Sequence, residues 1–125
     1  LKNTLQINTE GMVIQDGSGL SGFNALSAEQ IVQVLTKMKN SKPFHQSLPI
    51  AGESGTLKSF LINSWAKGNL HAKSGSMRGV RSYAGYVKSK SEKNIAFAII
   101  INNANCSDWE TKRKIEALLD HVSNL

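Results

Sequence analysis

The run Ile95–Ile101, inside "NIAFAIIINN", is apolar without interruption and is flanked by polar residues on both sides. It is far too short for a bilayer-spanning helix, which needs about 20 apolar residues. A strand turns successive side chains to opposite faces, so a run apolar throughout demands cover on both. The pattern therefore predicts a strand over 94–102, placed inside a sheet rather than at its margin, with further layers packed against it.

The preceding sequence supplies partners. Strands are expected near 70–77 and 80–88, joined by a tight turn, with the polar turn "SKSEKN" leading into 94–102. Ser27 and Gln30 form a capping box, and Ile31, Val34, Leu35 and Met38 recur at helical spacing, which predicts a helix near 28–39 stopped by "NSKP". Leu57, Phe60, Leu61 and Trp65 share one helical face, predicting a helix near 56–66 closed by Gly68. Ser107 and Glu110 form a second capping box ahead of Ile115, Leu118, Leu119 and Val122, a buried stripe on a helix near 108–123. Met12–Gln15 reads as a strand entering a turn-rich loop. The fold class is α+β, an antiparallel sheet of three C-terminal strands packed with helices.

At 125 residues the chain fits a single domain with one core. A net charge of +6 favours anionic partners in general, while no run of like charge marks an interaction tail. The lone Cys106 forms no internal disulfide and belongs to no zinc-type constellation, so neither metal nor cofactor is expected. Nucleic-acid binding is disfavoured because Tyr83 and Tyr86 have opposite parity on their strand and build no stacking platform.

Three local patterns carry little. Gly17–Gly22 matches G-x-G-x-x-G, but the next helix opens only near Ala28 and no acidic residue follows at the distance a dinucleotide fold requires, so the glycines support a turn. Ser64–Lys67 matches S-x-x-K. With 15 serines and 12 lysines in 125 positions, roughly one such match arises by chance, so it signifies nothing alone. His45 and His71 have no carboxylate or third ligand at matching spacing.

The stretch "AKSGSMRGVRSYAGYV" (72–87) holds more. Lys73 offers a fixed cation, and Ser74 and Ser76 offer hydroxyl donors for a carboxylate. Gly75 leaves room for a substrate backbone, and the Ser76 N–H is available to an oxyanion. Strict alternation sends Lys73 and Ser74 to opposite faces, so a shared cleft requires a twist or bulge near Gly75.

Together with "DGSGLS" (16–21) and "LPIAGESGTL" (48–57), in this order, the stretch resembles the D-alanyl-D-alanine carboxypeptidases, in particular the class C low-molecular-mass penicillin-binding proteins. The resemblance covers about residues 12–101. It implies a partial penicillin-binding/β-lactamase-like fold and a serine acyl-transfer mechanism with the signatures S-x-x-K, S-x-N and K-T/S-G. Lys73-Ser74-Gly75 matches the third. Ser74 and Ser76 would hold the terminal carboxylate, Lys73 would stabilise it and tune the proton relay, and Met77 would line the pocket. The substrate would be a peptidoglycan stem peptide, with β-lactams as mimics, in the periplasm or outside the cell.

The sequence departs from the family in having no S-x-N and no S-x-x-K beyond Ser64. The expectation is a C-terminal fragment of a transpeptidase-like domain, inactive alone, whose N-terminal part is its partner. The strand over 94–102 would then expose an edge open to self-association. A non-catalytic peptidoglycan- or carboxylate-binding module is the alternative.

Overall fold

The computed structural model describes residues 2–125. Its elements in chain order are α1 (Lys2–Leu5), α2 (Ala28–Met38), α3 (Lys42–Ser47), a 3-10 turn (Gly55–Leu57), β1 (Leu70–Met77), β2 (Val80–Lys88), β3 (Asn94–Asn102) and α4 (Asp108–Ser123). The strands form one antiparallel sheet in the order β1-β2-β3, as expected.

Register is continuous through both ladders, from Leu70↔Val87 to Met77↔Val80 and from Val80↔Asn102 to Lys88↔Asn94. Parity then sorts the side chains. Leu70, Ala72, Tyr83 and Val87 join Ala51, Leu57, Phe60, Ile115 and Leu119 in the core, with Ile95, Phe97, Ile99 and Ile101 packed against them. Phe60 and Tyr83 stack with ring centroids 4.7 Å apart. The opposite face is covered by α2, onto which Tyr86 is anchored by donating to the Leu35 carbonyl at 2.6 Å. Burial raises the pKa of both tyrosines.

The apolar pattern of β3 is thus answered by cover on both faces. Its predicted place inside the sheet is not: among the described residues β2 is central and β3 lies at an edge. Side-chain patterning reports which faces are dry, and the main-chain edge leaves no trace in it.

Both capping boxes form, at Ser27–Gln30 and Ser107–Glu110. The helix expected near 56–66 does not. Beyond the 3-10 turn the chain runs through successive turns, and Leu61 (φ 56°) takes left-handed backbone that interrupts any α-helix there. The Leu61 N–H is instead satisfied by Glu116 Oε1 at 3.1 Å. Leu57, Phe60 and Leu61 still reach the core, whereas Trp65 is 43 % exposed and Ala66 is buried in its place. On α4, Ile115 and Leu119 are buried while Leu118 is 50 % exposed, so the stripe is narrower than expected. Met12–Gln15 contributes only an isolated bridge, Val13↔Ala25. α3 was not anticipated: Pro43, which stops α2 upstream, also occupies the first turn of α3, where its missing N–H costs nothing.

Candidate active site

β1 is an edge strand, and the three sequence blocks meet along it. The segment 49–51 is stapled to its first half, with Ala51 N donating to Leu70 O and Ala72 N donating to Pro49 O, both at 2.9 Å. In an antiparallel ladder the main-chain groups of alternate residues point the same way. Those of Ser74 and Ser76 therefore project from the same edge as those of Leu70 and Ala72, and among the described residues no strand lies alongside them. At the far end, a Cβ built on Gly22 would lie 3.8 Å from Met77 Cε, which places the 16–24 loop beside the strand terminus.

That loop is a turn and opens no helix: Gly19 N–H donates to Asp16 Oδ1 at 3.0 Å, and Asn24 Nδ2 donates to the same oxygen at 3.1 Å. The Asn24 hydrogen bond is the main reason the Asp16 carboxyl is held below its ordinary pKa.

Lys73 and Ser74 point to opposite faces of β1, and the one-to-one register leaves no bulge at Gly75. Of the twist or bulge expected near Gly75, the bulge is absent. The lysine solves the problem by its length: its exposed side chain bends round the edge and Nζ donates to the Ser74 carbonyl at 2.7 Å. The ammonium thus sits at the edge from which the Ser74 and Ser76 main-chain groups emerge. Ser74 Oγ donates to Thr56 Oγ1 at 2.8 Å. Ser76 and Met77 are exposed. Gly75 has a reason beyond backbone access: a Cβ there would lie 2.5 Å from the Ser82 hydroxyl of the neighbouring strand.

Two residues of this neighbourhood escape sequence reading. Thr56 has no pattern of its own, and only its place within the block "LPIAGESGTL" hints at it. Arg81 is the register partner of Ser76 and its Nη2 lies 2.8 Å from Asp108 Oδ2, while its buried Nε has no partner.

The weak motifs lie elsewhere. Ser64 is hydrogen-bonded to Asp120 of α4 and accepts from Ala66 N at 3.0 Å, so its hydroxyl is spent on structure. His45 stacks on Tyr86 at 4.2 Å, and with His71 it lines a cavity of about 830 Å³ between α2 and the sheet. That cavity also takes in Asn69 and Lys88, at the opposite end of β1 from Met77. Among the described residues no group of three or more His, Cys, Asp or Glu is placed to hold a metal.

A family model described as "D-Ala-D-Ala carboxypeptidase 3 (S13) family" matches residues 1–124. The chain belongs to this family. A D-alanyl-D-alanine carboxypeptidase of Actinomadura sp. (strain R39) is 40 % identical over 107 residues, 78 % of this chain and 20 % of that protein. The D-alanyl-D-alanine carboxypeptidase DacB of Haemophilus influenzae is 34 % identical over 118 residues, 90 % of this chain and 25 % of that protein. The chain therefore spans about a fifth to a quarter of these curated relatives. In three dimensions, the crystal structure of penicillin binding protein 4 (dacB) from H. influenzae superposes with a TM-score of 0.87 at 27 % identity, over 99 % of this chain and 31 % of that one. The Bd3459 predatory endopeptidase of Bdellovibrio bacteriovorus shares the fold, with a TM-score of 0.82 at 20 % identity over 98 % of this chain and 36 % of that one. The α+β reading and the likeness to penicillin-binding proteins both hold.

Proposed function

We propose that this chain supplies the carboxylate-gripping wall of a serine-type D-Ala-D-Ala carboxypeptidase acting on peptidoglycan stem peptides outside the cytoplasm. The observation that carries the reading is what one open strand edge brings together: the Lys73 ammonium on the Ser74 carbonyl, the Ser74 hydroxyl beside Thr56, and the exposed Ser76 on the same face of the strand as Ser74. A terminal carboxylate accepts from Ser74 and Ser76, and Lys73 compensates its charge, having only a carbonyl to leave.

In the acyl-transfer step a serine hydroxyl attacks the carbonyl carbon of the penultimate D-Ala. The C–O bond forms, the Ser76 N–H stabilises the oxyanion, and the C–N bond breaks as the terminal D-Ala departs with a proton. Water then cleaves the ester. β-Lactams enter the same way and leave the ester in place.

No S-x-N occurs in these 125 residues, and the one S-x-x-K serine is bonded to Asp120. We therefore read the chain as the C-terminal part of a longer transpeptidase-like domain, with the attacking serine on the remainder, and the β3 edge as the seam to that remainder or to a second copy. Fluorescent penicillin tests this directly. The expected result is no covalent adduct on the chain alone, and an adduct on the longer protein carrying S-x-x-K and S-x-N. An adduct on the chain alone refutes the division of labour. Failure of the longer protein to acylate favours a non-catalytic binding module.

A further inference from the structure

The Ser74 hydroxyl, which the proposed function assigns to the substrate carboxylate, is already engaged: it donates to Thr56 Oγ1 at 2.8 Å. A carboxylate only accepts, so Ser74 must turn its single proton away from Thr56 to meet it. The Thr56 oxygen is a hydroxyl and has a proton of its own to return. We infer that Thr56 is a positioning residue for carboxylate recognition: it holds the Ser74 side chain towards the edge in the free protein and reverses the hydrogen bond on binding. The inference rests on the reading of Ser74 given above.

The reversed chain, Thr56 O–H to Ser74 O–H to carboxylate, runs in one direction, and hydrogen bonds so aligned polarise one another. An alcohol at 56 is therefore worth more with an anionic ligand than with a neutral one. An alkyl group of the same shape leaves Ser74 to find its rotamer unaided.

Thr56 is well held for this task. It sits in the middle of the 3-10 turn, followed by the fully buried Leu57. Gly52 N donates to Leu57 O at 2.9 Å, Leu57 N to Ser54 O at 3.2 Å, and Ile50 N to Ser54 Oγ at 2.9 Å. Gly55 takes a left-handed φ of 54°, and a Cβ there would press on the Pro49 ring at 3.1 Å. The same segment is bonded to β1 through Pro49 and Ala51. Thr56 and Ser74 thus ride on one rigid unit, and their separation is set by main-chain bonds.

The test uses the longer enzyme containing this chain, and compares kcat/KM for a peptide ending in D-Ala-D-Ala with that for its C-terminal carboxamide. Thr56→Val is expected to lower the value about tenfold for the free acid, the worth of roughly one charge-assisted hydrogen bond, and to leave the carboxamide within about twofold. Thr56→Ser is expected to restore the acid preference. If Ser74→Ala erases the preference while Thr56→Val and Thr56→Ser both keep it, the inference fails and the reading of Ser74 stands. If Ser74→Ala itself leaves the preference intact, that reading fails. Should Thr56→Val not melt cooperatively, Thr56→Ala is scored by the same ratio. Equal losses on acid and carboxamide mean a merely structural role and overturn the inference.

Discussion

Gly85→Ala is expected to be one of the most damaging single methyl additions in the sheet. A Cβ at Gly85 would stand 2.1 Å from the His71 carbonyl oxygen and 2.6 Å from both Cα and Cβ of Ala72. These are atoms of β1 itself, with no flexible side-chain tip to yield. Restoring an ordinary contact to that oxygen requires β1 and β2 to part by about 1 Å, against a normal strand spacing of about 4.8 Å. Opening the ladder that far stretches the two or three flanking hydrogen bonds beyond useful length, at about 1 kcal/mol each. The gain from replacing glycine, about 0.5–1 kcal/mol, offsets only part of this. The net cost is about 1–2.5 kcal/mol, which lowers Tm by roughly 4–10 °C for a chain of this size. Thermal unfolding by circular dichroism measures it. Gly75→Ala is the control, because the obstacle there is the rotatable Ser82 hydroxyl at 2.5 Å; the double change Gly75→Ala with Ser82→Ala should unfold close to the parent. A Gly85→Ala protein melting within about 2 °C of the parent refutes the tight β1–β2 approach.

Ser107→Ala removes the acceptor for the Glu110 N–H and half of a capping box, and should cost about 1 kcal/mol by urea unfolding. Tyr86→Phe strips the hydroxyl donating to Leu35 O and should cost about 1 kcal/mol, with faster amide exchange in α2 as the local readout. The carboxyls of Asp16 and Glu110 are held below their ordinary values of 3.8 and 4.5, by hydrogen bonds from Asn24 and from Ser107 respectively. A depressed carboxylate pKa stabilises above the unfolded value and loses that contribution as pH falls through the folded one. Asp16→Asn with Glu110→Gln should therefore flatten the decline in stability below about pH 4.5 and leave its shape near pH 7 unchanged. Through the β3 edge, sedimentation velocity of the isolated chain should show dimer growing with concentration, and a monomer at every concentration argues against an adhesive edge.

The parts of the fold legible in sequence are those written in short-range pattern. Capping boxes gave the starts of α2 and α4, and strand-like segments bounded by turn residues gave three strands at their observed bounds. The segment after Gly55 misleads because consecutive turns also return every third or fourth residue to one side, so Leu57, Phe60 and Leu61 mimic a helical face. The positive φ of Leu61, whose N–H donates to Glu116 from 55 residues away, separates the two, and no local signal encodes that contact. The site divides likewise. Lys73, Ser74, Gly75 and Ser76 announce themselves as a chemical set, whereas Thr56 acquires a role only when the chain brings it 2.8 Å from Ser74.

The staple between residues 49–51 and the start of β1 also works as a ruler. It occupies the outward carbonyl of Leu70 and N–H of Ala72, and among the described residues no strand lies beside Ser74 and Ser76, the Ser74 carbonyl holding only the Lys73 ammonium. The two serines lie about 7 Å apart along a strand. A peptide drawn up beside this edge finds backbone partners over the length of a dipeptide and then meets Pro49, so such an edge measures how much of a chain's end it can take.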